Sequence, residues 1–171
     1  ALTLGQRALR STSSMVVDGP HAAAVVLGPG LRGLTREELH AVYLDRRGRV
    51  LHLRRVTQGT DACTLVEARQ VYQPAVQLGA SRVAVAHNHP SGDPRPSEAD
   101  LRVTRQLVAA AETLRLQLVD HLVITDDAHT SLAALGAIRP HAPGVALVAA
   151  PQGFGGQGHL ANPLSPCGSR H

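Results

Sequence analysis

A strand that ends in two histidines, followed by a proline-rich loop and a long helix, constrains this chain more than any other feature. Residues 82–86 read as a short strand that runs into His87, Asn88 and His89. Residues 90–96 hold three prolines and read as a loop. Residues 97–114 form the clearest helical pattern in the chain. In a strand, residues two apart share a face, so Val83, Val85, His87 and His89 project together if the strand persists that far. In a helix, the turn of about 100° per residue sets Asp100, Val103, Leu107, Ala111 and Leu114 in one stripe. Asp100 thus opens the buried face of the helix. A carboxylate aimed at a core is costly unless something neutralises it. Two imidazoles from the preceding strand, with a divalent cation, would do so.

Two histidines and one carboxylate leave a fourth tetrahedral position open, the pattern of a catalytic rather than a structural zinc site. Such an ion lowers the pKa of a bound water toward ~7 and polarises a carbonyl. A further carboxylate is wanted as general base. Ser97 and Asp100 also read as a helix capping pair, Ser97 at the N-cap and Asp100 three residues on. The two roles are compatible, because the cap sits at the same helix end. Asp93 reads as a loop residue making turn contacts.

The rest of the chain supplies one α/β domain with tails. Residues 39–44 are apolar at nearly every position, like a strand buried on both faces. Residues 45–48 are a turn signal, and 49–57 read as the hairpin partner. Residues 64–78 have helical spacing, with a kink or break expected at Pro74. Residues 116–125 read as another strand and 130–135 as a last one. Residues 1–10 read as the end of a helix, and 11–33 as a connector with a short apolar segment at 22–27. After Pro140 the chain is rich in Pro and Gly and is expected to be disordered. The domain boundaries expected are 1–34 for a linker, 35–139 for the folded domain and 140–171 for the tail.

Composition excludes several functions. Hydrophobic residues make up 43% of the chain, but the only aromatic ones are Tyr43, Tyr72 and Phe154. The core is therefore aliphatic, and a base-stacking platform for single-stranded nucleic acid is improbable. All seventeen basic residues are Arg, so Schiff-base and Lys-nucleophile chemistry are impossible. The net charge of +4 reflects either an Arg-rich coding bias or a phosphate-binding surface. Cys63 and Cys167 lie too far apart for a Cys-x-x-Cys site or a disulfide framework. No apolar run is long enough to span a membrane, and nothing resembles a secretory signal, so a cytoplasmic setting is expected. The chain does not begin with Met, and a fragment or processed product is expected.

The spacing His87-x-His89, seven residues, Ser97, two residues, Asp100 matches the JAMM (MPN+) metalloprotease signature. The string HNHPSGDPRPSEAD closely resembles the bacterial RadC family of that superfamily. EELHAVYLDRRGRV, ARQVYQPAVQLGASRVAVAHNHPSGD and LVDHLVIT resemble RadC segments too, so the likeness covers roughly 35–136. ALTLGQRALR resembles the link that follows a helical N-terminal region in such proteins. The resemblance implies a three-layer α/β fold with a mixed sheet between helices, similar to cytidine deaminase. It implies one zinc ion held by His87, His89 and Asp100. It also implies a metallopeptidase or isopeptidase, in which a zinc-activated water attacks an amide carbonyl of a peptide or protein substrate. The superfamily's general base is a Glu where the first strand begins. Glu37 and Glu38 both match, and Glu38 is assigned because it directly precedes Leu39. Ser97 is implied to stabilise the oxyanion.

The alternative is a nucleic-acid-binding or nuclease module linked to DNA repair, a label long carried by RadC proteins. Arg46, Arg47, Arg49, Arg54 and Arg55 around the hairpin would then contact phosphates. The His-Asn-His letters resemble a nuclease only superficially, since Asn88 faces opposite the two histidines. A zinc deaminase would need Cys-x-x-Cys ligands that are missing. His121 reads as structural, His40 and His52 as packing or surface residues, and Thr60 and Ser91 as possible shapers of the site rim.

Overall fold

The structure is a computed structural model that describes residues 15–58 and 67–139. The helix end expected at 1–10, Thr60, both cysteines and the tail after Pro140 lie outside the described residues. The elements are α1 (Pro20–Leu27), β1 (Glu38–Leu44), β2 (Val50–Gln58), α2 (Ala68–Gln77), β3 (Arg82–Asn88), α3 (Glu98–Thr113), β4 (Gln117–Ile124) and β5 (His129–Ser131). The five strands form one mixed sheet in the order β2-β1-β3-β4-β5. Only β3 and β4 run parallel, and α3 makes the crossover that a parallel pair requires.

Strand alternation divides the core in two. Leu39, Ala41, Tyr43, Val83 and Val85 pack with Val71 and Tyr72 of α2 and Val103 and Leu107 of α3. Val42, Leu44, Ala84, Ala86, Leu122 and Ile124 pack with Ala23, Ala24 and Leu27 of α1. Every residue of β1 is buried, as its unbroken apolar run requires. The result is the three-layer α/β arrangement expected.

Three local expectations are corrected. The connector at 11–33 contains a helix, and Val17, Ala23 and Leu27 are fully buried. Flanking Gly and Pro masked an eight-residue helix with Pro20 in its first turn, where a missing N–H costs nothing. The core therefore begins upstream of residue 35. The α2 helix continues through Pro74, whose ring is buried beside Val71, Tyr72 and Ala75. Leu114 lies just past the end of α3 and is 46% exposed, so the helix stripe stops at Ala111.

The hairpin turn shows why glycine is needed at Gly48. Its φ is +79°, and an added Cβ would lie 2.8 Å from the Val17 carbonyl oxygen. The same close approach lets the Val17 amide donate to the Gly48 carbonyl at 2.8 Å. Asp45 completes the turn by accepting from the Arg47 and Arg49 amides.

Candidate metal centre

The β3 strand persists to Asn88, and the His89 amide donates to the Ile124 carbonyl at 3.0 Å. His87 and His89 therefore share one face, at the point where the chain leaves the sheet. Helix α3 returns over that face with Asp100 in its first turn. His87 Nε2 lies 3.1 Å from Asp100 Oδ1, and His89 Nε2 lies 3.4 Å from Asp100 Oδ2. The two imidazole Nε2 atoms are 3.0 Å apart. His87 and Asp100 are buried, while His89 is half-buried and forms the open side.

The helix end that delivers Asp100 is itself a capping box. Ser97 Oγ accepts from the Asp100 amide at 3.2 Å and donates to Asp100 Oδ2 at 2.7 Å. The Ser97 amide donates to the same oxygen at 2.7 Å. Oδ2 is thus saturated by the cap, and Oδ1 is turned toward His87. Burial pushes the Asp100 carboxyl up, but its interactions with His87, His89 and Ser97 outweigh burial and hold it well below the usual carboxylate range.

The donor set fits a cation. His89 Nδ1 lies 2.8 Å from the Asp93 carbonyl oxygen, which only accepts, so the neutral ring carries its proton there and turns the Nε2 lone pair to the cluster. His87 Nδ1 likewise points away, to His121 Nε2 at 2.9 Å. Two ring nitrogens and a carboxylate oxygen converge at separations that need a proton or a cation among them. The hydrogen bond to Asp100 raises the His89 pKa most. Burial opposes it, and the Asp93 carbonyl and the charges of Asp100 and Glu37 add to the rise.

Glu38, the expected general base, is not brought to this cluster. Leu39 pairs with His87 across β1 and β3, so Leu39 and His87 share a face and Glu38 projects to the other. There its Oε2 lies 3.0 Å from His40 Nε2, and its Oε1 accepts from Arg55 at 3.4 Å. Glu37 is half-buried, just before β1, and its charge acts on His89.

Asn88 ties the segment carrying Glu37 to the site. Its Oδ1 accepts from the Glu38 amide at 2.8 Å, and its Nδ2 donates to the Leu34 and Arg36 carbonyls. Beside His89 opens a cavity of about 490 Å³, lined by Gly33, Thr35, Asn88, Gly92, Thr125 and Asp127 among others. Ser91, considered for the rim, is exposed and accepts only a long bond, 3.4 Å, from the Asp93 amide.

Two buried polar residues lie behind the site, His121 and Thr104, of which the sequence analysis singled out only His121. His121, read as structural, is fully buried, and burial with the neighbouring His87 pushes its pKa down to about 3. Its Nδ1 lies 2.7 Å from Thr104 Oγ1, which donates to the Asp100 carbonyl at 2.6 Å. Thr104 sits four residues after Asp100, the one signal that placed it on the same helix face. Arg49 pairs with Asp45 and Arg55 with Glu38, and the consecutive Arg54 and Arg55 project to opposite faces of β2. Among the described residues, no helix is long and apolar enough to cross a membrane.

The RadC-like JAB domain family model matches residues 17–137, from buried Val17 to the residue before buried Ile138. A UPF0758 protein of Synechocystis sp. is 40% identical over 134 residues, covering 77% of this chain and 55% of that protein. A UPF0758 protein of Moorella thermoacetica is 39% identical over 133 residues, 77% of this chain and 58% of that one. One from Trichodesmium erythraeum is 39% identical over 134 residues, 77% and 55%. The chain thus spans a little over half the length of these relatives. With the match running through the sheet, the helices and the His-His-Asp cluster, the chain belongs to the RadC-like JAB domain family.

Proposed function

We propose that this domain is a JAMM-type metal-dependent hydrolase that cleaves an amide bond in a peptide or protein, with zinc as its ion. The observation that carries the reading is the convergence of His87 Nε2, His89 Nε2 and an Asp100 oxygen beside an open cavity. These three residues would hold the ion. When bound, zinc supplies Lewis acidity, polarising a carbonyl and making a water more acidic. Two imidazoles and one carboxylate leave room for substrate chemistry, unlike a closed structural site.

The chain's own groups supply the rest. Glu37, rather than Glu38, is the carboxylate free to take a proton from the attacking water and return it to the leaving amine. Glu38 is unsuited, because its carboxylate is committed to His40 and Arg55 on the other face. Ser97 holds Asp100 in place, and its single hydroxyl proton is directed at Asp100 Oδ2. To stabilise an oxyanion, Ser97 would have to turn that proton outward.

Metal analysis combined with cleavage of a proteome-derived peptide library tests this. Zinc-loaded protein is expected to cut a subset of peptides, and chelation to stop it. Zinc-loaded protein that cuts neither peptides nor isopeptide-linked conjugates would contradict the hydrolase reading.

A further inference from the structure

His89 and His87 present the same nitrogen to the cluster, but different groups make them do so. A backbone carbonyl orients the His89 ring directly. Among the described residues the partner of His87 Nδ1 is not a carbonyl but another imidazole, which either donates or accepts depending on its own tautomer. The direction of that bond follows from groups further back. The Asp100 carbonyl can only accept, so the single hydroxyl proton of Thr104 goes to it at 2.6 Å. Toward His121 Nδ1, at 2.7 Å, Thr104 Oγ1 must therefore accept, and the His121 ring proton lies on Nδ1. A neutral imidazole protonated at Nδ1 has a bare Nε2. That atom accepts from His87 Nδ1 at 2.9 Å, which leaves His87 Nε2 bare toward Asp100 and His89.

We propose that Thr104 and His121 are positioning residues that fix His87 in its Nδ1-protonated tautomer, so that the lone pair of Nε2 faces the ligand cluster. The relay begins at the backbone of one ligand residue, Asp100, and ends on the ring of another, His87. It therefore couples the first turn of α3 to the end of β3 as well as setting the tautomer. All its side chains are buried: Thr104, His121 and His87 are each 0% exposed. Bulk solvent does not reach them. In the opposite tautomer, a His87 Nε2 proton would point at the position a cation needs. Partners of this kind, behind metal-ligating histidines, typically change metal affinity 10–100-fold when removed. The consequence for metal affinity rests on the proposed metal reading; the tautomer itself does not.

Two measurements on one set of proteins test the relay and separate it from the metal reading. Side-chain 15N NMR at pH 8 reads the tautomer of His87 in metal-free protein, and chelator competition reads zinc affinity. The proteins are the wild type, Thr104→Val, His121→Leu and His121→Gln, each checked by thermal melting. The wild type is expected to show His87 protonated at Nδ1. Thr104→Val, which keeps the shape of the side chain, is expected to give mixed His87 tautomers and a zinc affinity lowered about 10-fold. His121→Leu is expected to lose about 10–100-fold. His121→Gln, whose amide can accept from His87 and donate to Thr104, is expected to recover most of that loss. If His121→Leu does not fold, the Thr104→Val and His121→Gln comparison decides. Wild-type His87 protonated at Nε2, or unchanged tautomer and affinity in Thr104→Val, would overturn the relay while leaving the metal reading standing. The expected tautomers in a protein that binds no zinc would uphold the relay and overturn the metal reading.

Discussion

Leu39 on β1 stands directly opposite His87 on β3. Residues opposite each other in an antiparallel pair share a face. That pairing turns Glu38 to the other face, with His40, and the proposal of Glu37 as general base rests on it. Glu37→Gln is expected to retain zinc and thermal stability while slowing hydrolysis by ~10² or more, the scale of general acid–base catalysis. Glu38→Gln is expected to keep most activity and to lose about 1 kcal/mol of stability, from its weakened bonds to His40 and Arg55. Hydrolysis rates and melting of the two variants side by side check this. Loss of activity in Glu38→Gln alone would reverse the assignment.

Asn88 holds the segment before β1 with three hydrogen bonds from a side chain that is 3% exposed. Asn88→Ala leaves the Glu38 amide without its acceptor, at a cost of about 1–3 kcal/mol. Hydrogen exchange at the Glu38 amide is expected to quicken, and denaturant unfolding to show the loss. An unchanged exchange rate there would mean the strap does not hold residues 34–38.

Ser97 both caps α3 and fixes Asp100. Ser97→Ala is expected to destabilise the domain by about 0.5–2 kcal/mol. Urea unfolding measures it. Ser97→Asp should recover much of the cap but place a second carboxylate beside Asp100. Its stability is therefore expected to depend on zinc more steeply than that of the wild type.

The arginines of the hairpin carry the nucleic-acid alternative. Arg49 and Arg55 already have carboxylate partners, and Arg54 and Arg55 face opposite ways. If these residues contact phosphates, affinity for duplex DNA falls steeply with salt. Replacing Arg47, Arg49 and Arg54 together is then expected to flatten that slope. Tight binding indifferent to both salt and these substitutions would leave the phosphate reading without a physical basis.

The strand–loop–helix unit was legible because its two side-chain periods are written in the residues themselves. A period of two aligned His87 with His89, and the helical turn aimed Asp100 inward beside Val103 and Leu107. Registers between strands were not legible, since pairing depends on tertiary contacts and no local pattern states which residue of β1 meets His87. Which face Glu38 takes depends on that register. His121 was visible as a histidine in an apolar strand, but its role depends on a Thr seventeen residues earlier on a different element. Helix α1 was hidden by the Gly and Pro that bound it, because eight residues carry too little periodicity to outweigh such neighbours.

The metal content of the purified protein tests the central claim most directly. Protein prepared without chelator is expected to carry about one zinc ion per chain, held by His87, His89 and Asp100. His87→Ala and Asp100→Ala are each expected to lose most of it while Glu37→Gln keeps it. Equal zinc in the wild type and in both ligand variants, or none in any of them after zinc loading, would contradict the account.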